Sequence, residues 1–235
     1  MTKLNFLIKE LRSKKDKRKA VILQRFFKTG KGEYGEGDLF LGLPVPVSRA
    51  IAKKYYDLSL FDVEKLLQSK IHEERFVALL ILIYQFQKGD IRIKEDIYCL
   101  YIRKKEYVNN WDLVDVSADK IVGWYLFDKD KEFLYTLAKS ESVWDRRIAI
   151  MATFWFVKNG IFNTTFAIVD ILFQDEHDLI HKAVGWMLRE VGNRSRLDEE
   201  EFLQKHYKEM PRTMLRYAIE KFPDGIRQAY LKGII

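Results

Sequence analysis

The sequence predicts an all-α protein, an α-solenoid of HEAT-like helical repeats, and three observations carry that prediction. Apolar positions at helical spacing mark segments 72–86, 111–127, 143–160, 178–193 and 211–223. These segments recur at roughly the period of helix-pair repeats. More polar helical stretches, 62–69, 129–139 and 198–207, fall between them. Strand patterns, meaning clean alternation bounded by tight turns, are nearly absent. The chain therefore reads as one domain over 1–235, with two N-terminal helices in 1–28, a connector over 29–46 and helical repeats over 47–235.

Leu4, Phe6, Leu7 and Leu11 give the first helix its apolar face. A basic run follows (Lys14, Lys15, Lys17, Arg18, Lys19), and Val21, Ile22, Phe26 and Phe27 mark a second helix. The connector TGKGEYGEGD holds four glycines between Gly30 and Gly37. It lacks the GK[ST] ending and the preceding strand of a phosphate loop, so it reads as a connector. Pro44, Pro46 and Ser48 then lead into a helix near Arg49 to Tyr56.

Composition narrows the class. With 48% hydrophobic residues the 235-residue chain can bury a full core. No apolar run approaches a membrane span, and the start alternates charge with apolar residues, which predicts a cytoplasmic address, or a nuclear one in a eukaryote. The single cysteine, Cys99, excludes an internal disulfide and a thiolate metal cluster, and its apolar neighbours predict a buried thiol. His177 and His181 fall four apart but have no acidic or thiol company, so neither a metal nor another cofactor is expected. A formal charge of +7 favours a polyanionic partner.

The stretch NNWDLVDVSADKIVGWY (109–125) carries the chemistry. Asn110 is a good N-cap, so Trp111 opens a helix and Asp112 lies in its first turn, solvated and beside the positive end of the dipole. Trp111 and Asp115, four apart, share one face. Aligning the repeats by apolar positions makes Arg75, Arg147 and Lys182 equivalent, with Asp115 close to the same place. Lys182, Trp186 and Arg189 also share one face. A concave wall bearing those cations and two indoles fits nucleic acid. A carboxylate within it repels phosphate, so a protein that only held DNA would gain by losing it.

NNWDLVDVSADKIVG, VWDRRIAI and KAVGWMLRE, in that order and spacing, resemble the AlkD-type DNA alkylation repair glycosylases over essentially the whole chain, and FLGLPVPVSRAIAKKY fits the same family. That resemblance implies a HEAT-like-repeat enzyme with a concave DNA-binding groove. Such an enzyme excises positively charged N3- and N7-alkylated purines from double-stranded DNA, as a monomer without a metal. It implies Asp115 as the catalytic aspartate and Trp111 and Trp186 as the tryptophans beside the lesion's deoxyribose. Arg147 and Arg189 match the basic residues that grip the DNA, and Lys182 joins them on the same wall. Phe26 stands where a tyrosine can occur, and Asp178 and Leu179 stand where one relative carries an aromatic pair. The alternative is a non-catalytic solenoid that binds nucleic acid or protein, which has no use for Asp115.

Overall fold

The computed structural model describes residues 2–235, and the fold is all-helical. Among the described residues, β pairing is limited to a single parallel bridge between Leu39 and Ile71. The chain divides into two compact units, the first ending at Ser117 and the second beginning at Ala118.

In the first unit, α1 (Lys3–Ser13) is capped by the Thr2 hydroxyl and buries Leu4, Leu7 and Leu11. The Asp16 carboxylate caps α2 (Lys17–Phe26) by accepting from the Arg18 and Lys19 amides. No α2 residue is buried, and Ile22 and Phe26 are 64% and 61% exposed, so this helix presents apolar side chains beside its own cations. The α3 helix (Val45–Lys54) begins earlier than the sequence predicts, because Pro46 sits in its first turn, where its missing N–H costs nothing. Two further helices, α4 (Leu60–Leu67) and α5 (His72–Lys88), complete the layer, with α5 packed against α3 and α4. Phe76 to Ile83 are buried without a break, as expected of a helix covered on all sides.

The helical repeats read from the sequence do not single out α6 (Ile91–Arg103), which packs on α5 through Ile97, Leu100 and Tyr101. That spacing fixes the buried face and puts Cys99 on the other side. The thiol is exposed, contrary to the prediction from its apolar neighbours. Tyr101 closes this part of the core with a 3.0 Å hydrogen bond to Ser117. The unit ends in α7 (Trp111–Ala118).

In the second unit a π-helical stretch, Asp119–Gly123, leads into the short α8 (Trp124–Leu126). The widened turn coincides with a close approach to the next long helix. A Cβ on Gly123 would lie 2.2 Å from the Ala152 carbonyl oxygen, so only glycine fits. The buried Asp119 accepts from Lys120 at 2.8 Å and Lys158 at 2.7 Å. Next come α9 (Glu132–Ala138), α10 (Val143–Lys158), α11 (Asn163–Leu172), α12 (Asp178–Gly192), α13 (Arg196–His206), α14 (Arg212–Ala218) and α15 (Asp224–Lys232). The buried helix α10 packs on α9, α11 and α12, and α12 in turn packs on α13 and α14.

The helix pairs carry a repeated joint that corrects one alignment made from sequence. Arg75 donates to the carbonyl six residues back, Ser69, at 3.0 Å, and Arg146 donates to the carbonyl of Ser140, also six back, at 2.9 Å. The Ser69 hydroxyl bonds Glu74 as the Ser140 hydroxyl bonds Asp145. In the third instance the His181 ring contacts the Asp175 carbonyl. Arg75 is therefore equivalent to Arg146 and His181, one position before Arg147 and Lys182. Apolar periodicity tolerates that one-residue slip, whereas the hydrogen-bonded joint does not.

Candidate nucleic-acid interface

Asn110 is fully buried at the start of α7. Its side-chain oxygen accepts the Trp111 amide at 2.9 Å, and its carbonyl accepts the Val114 amide at 3.1 Å. The helix therefore begins at Trp111, as the sequence predicts. The Trp111 indole stacks on Phe27 with centroids 5.0 Å apart and planes 13° apart. Phe26 meets the indole edge-on at 5.8 Å. Beneath, Phe27 stacks on Phe40 at 5.0 Å, and Phe40 on the His72 imidazole at 4.5 Å. The indole is thus held on a column of rings while staying partly exposed. Asp115, also partly exposed, follows four residues on, on the same face of α7.

Asp112 departs from expectation. It is not a solvated first-turn carboxylate: its Oδ2 lies 2.8 Å from His72 Nε2, and its side chain is 19% exposed. His72 Nδ1 lies 3.0 Å from Asp38 Oδ2. Asp38 also accepts from Arg75 at 2.7 Å and from the Asn110 side chain at 3.4 Å. Burial pushes the His72 pKa down, but the facing carboxylates of Asp112 and Asp38 more than reverse this and raise it above its ordinary 6.5. Burial pushes Asp38 up, and His72 and Arg75 together bring it below its ordinary 3.8.

Four consecutive buried polar residues open α5, and between them they fasten α1, the connector, Ser69 and α7. His72 holds Asp38 and Asp112. Glu73 accepts the amides of Leu41, Gly42 and Leu43 at 2.9, 2.8 and 3.1 Å. Glu74 takes Arg12 at 2.8 Å and the Ser69 hydroxyl at 2.6 Å. Arg75 completes the set through Asp38 and Ser69. Sequence reasoning missed Asp38 and His72 as site residues. The signal was present in HEER, four titratable residues in a row immediately before an unbroken apolar run.

In the second unit, Arg147 is 4% exposed and donates to the Leu179 carbonyl at 2.5 Å. Lys182 pairs with Asp178 at 2.6 Å, one turn back on α12, and its side chain is 39% exposed. The hydrogen bond from Lys182 leads the effects that hold the Asp178 carboxyl below its usual range. The Trp186 indole N–H donates to Glu190 at 3.1 Å, and its ring lies 6.3 Å from Phe154. Arg189 pairs with Glu220. His177 caps α12 by accepting the Leu179 amide at 3.1 Å, so its ring has a local task. The structure thus gathers Phe26, Trp111 and Asp115 in the first unit, and Lys182, Trp186 and Arg189 on α12 in the second. It makes Arg147 a buried tie between α10 and α12.

These features define a helical-repeat protein that carries partly exposed aromatic and charged side chains on its helices. The sequence matches the family described as DNA alkylation repair enzyme over residues 7–222, and the chain belongs to that family. Its role is therefore in the repair of alkylated DNA. The fold is similar to that of a solved structure described as a predicted DNA alkylation repair enzyme from Enterococcus faecalis. The two share 18% identity and a TM-score of 0.67, over 89% of this chain and 97% of that one. No curated protein is matched by sequence. No helix among the described residues is long and apolar enough to cross a membrane.

Proposed function

We propose that the protein is a monofunctional DNA glycosylase that releases positively charged N3- and N7-alkylated purines from duplex DNA. The observation that carries this reading is the pairing of Trp111 and Asp115 on one face of a helix whose start is fixed by buried Asn110, in a chain of the DNA alkylation repair family. Alkylation at N7 of guanine or N3 of adenine leaves a fixed positive charge, so the base departs without a general acid. The C1′–N9 bond breaks and its electron pair neutralises the base, leaving an oxocarbenium ion on the sugar. Asp115 stabilises that cation electrostatically and orients the water that attacks C1′. The water's proton passes to the carboxylate or to solvent, giving an abasic site with the backbone uncut. The Trp111 face adds a cation–π contribution of about 0.5–2 kcal/mol and excludes bulk water.

On the family resemblance, Phe26 in the first unit and Lys182, Trp186 and Arg189 in the second are proposed as DNA contacts. Arg147 supports α12 from beneath and reaches DNA only if its tie to Leu179 opens. The reading includes a monomer, a cytoplasmic setting and no metal. It is tested by incubating the protein with methylated duplex DNA and separating free bases by chromatography. Release of 7-methylguanine or 3-methyladenine with intact strands is expected. Binding to the duplex without release would instead support the non-catalytic reading, and borohydride trapping of a protein–DNA adduct would contradict the use of water as nucleophile.

A further inference from the structure

We propose that His72 is a positioning residue for excision: an imidazolium that donates from both ring nitrogens, fixing the first turn of α7 and hence Trp111 and Asp115. This rests on the glycosylase reading given above. Both partners of the ring are aspartate oxygens, Asp38 Oδ2 at 3.0 Å and Asp112 Oδ2 at 2.8 Å. A neutral imidazole has one N–H and one lone pair, so it serves only one of two carboxylates and turns a lone pair on the other.

The geometry ties this proton to the site by two routes. Asp112 lies in the first turn of α7 between Trp111 and Asp115, and Asp38 also accepts from Asn110, the cap of the same helix. The imidazole therefore clamps the cap and the first turn together. The second route is the ring column, since His72 stacks on Phe40, Phe40 on Phe27, and Phe27 carries Trp111. A cation under those rings also gains from their π faces.

The groups facing His72 favour the charged form. From the connector and α7 come Asp38 and Asp112. From α5 itself comes Arg75, whose positive charge opposes protonation but is taken up by Asp38. The positive end of the α5 dipole also opposes it. The neighbouring Glu73 and Glu74 are committed to the connector backbone, Arg12 and Ser69. The direction of the His72 shift agrees, being upward despite burial.

The full chain labelled with 15N-histidine and 5-fluorotryptophan tests the proposal. The His72 and Trp111 resonances are assigned by their loss in His72→Gln and Trp111→Phe. The expected result is that His72 carries both protons at neutral pH, and that the Trp111 fluorine signal moves with the same midpoint as His72 deprotonates. Single-turnover release of 7-methylguanine should fall about tenfold through that midpoint, the size of a modest misplacement of reacting groups. In His72→Gln the rate should be about tenfold lower and lack that pH limb, with DNA affinity unchanged. Should His72→Gln fail to fold, Asp112→Asn, which keeps the side-chain shape, should show the same loss. A Trp111 signal that stays fixed while His72 titrates would overturn the proposal, as would a folded variant with wild-type rate and pH limb. If wild type releases no base but the Trp111 signal follows His72, the clamp stands and the glycosylase reading falls.

Discussion

Asp112 Oδ2 sits 2.8 Å from His72 Nε2, and this contact changes what the first carboxylate of WDLVD does. By position it is a first-turn dipole stabiliser, worth about 0.3–1 kcal/mol. By geometry it is half of a largely buried ionic hydrogen bond, so Asp112→Asn should cost about 1–3 kcal/mol of unfolding free energy. A double-mutant cycle with His72→Gln, followed by urea unfolding, should give a coupling above about 0.5 kcal/mol. Strict additivity would mean that the two side chains do not stabilise each other.

The same network sets a pH window. Since the folded pKa of His72 is raised above 6.5, its contribution is complete below that value and is lost as pH rises through the folded pKa. Because the folded pKa of Asp38 is depressed below 3.8, its contribution is present above that value and is lost as pH falls through the lower folded pKa. Urea midpoints between these limits should exceed those on either side. His72→Gln should shrink the alkaline decline, and an unaltered alkaline limb in that variant would contradict the assignment.

Glu199, in the second unit, adds to the alkaline decline. It is 2% exposed on α13, and burial raises its pKa from 4.5 to about 8 despite Arg196. The folded state therefore keeps a proton that the unfolded chain releases, and stability falls as pH rises from about 4.5 to about 8. Glu199→Gln removes this penalty. Its melting temperature should exceed wild type by an amount that grows over that pH range, reaching on the order of a few kcal/mol in free energy. A difference independent of pH would show that Glu199 ionises normally.

Salt dependence separates the cations of the second unit. Lys182 is partly exposed, so Lys182→Ala should leave stability nearly unchanged and reduce the log–log salt slope of DNA binding by about 0.9. Arg147→Ala leaves the Leu179 carbonyl without its buried donor and should cost about 1–3 kcal/mol of stability. Anisotropy titrations at several salt concentrations, with melting curves, distinguish the two. An unchanged slope in Lys182→Ala would remove that lysine from the proposed interface.

What could be read from the sequence follows from what local patterns encode. Helix periodicity and the Asn110 cap are properties of a few adjacent residues, so the major helices and the start of α7 were legible. The faces of helices were less so. Cys99 has apolar neighbours in sequence but lies opposite the Ile97–Leu100–Tyr101 stripe, and Arg75 is one residue out of register with Arg147. The polar cluster under Trp111 was not legible, because a period treats charged residues as the solvent side. Asp38 lies 34 residues before His72, and Asp112 lies 40 residues after it, so only the folded chain brings the three together.

The proposed role of Asp115 as the electrostatic group of a glycosylase is decided by single-turnover release of 7-methylguanine from duplex DNA by wild type and Asp115→Asn. The substitution keeps the shape and removes the charge. The rate should fall on the order of a hundredfold or more, as for loss of one preorganised stabilising group. DNA affinity measured by anisotropy should hold or rise, since one repulsion with phosphate is gone. An Asp115→Asn protein that releases the base at the wild-type rate would contradict the account.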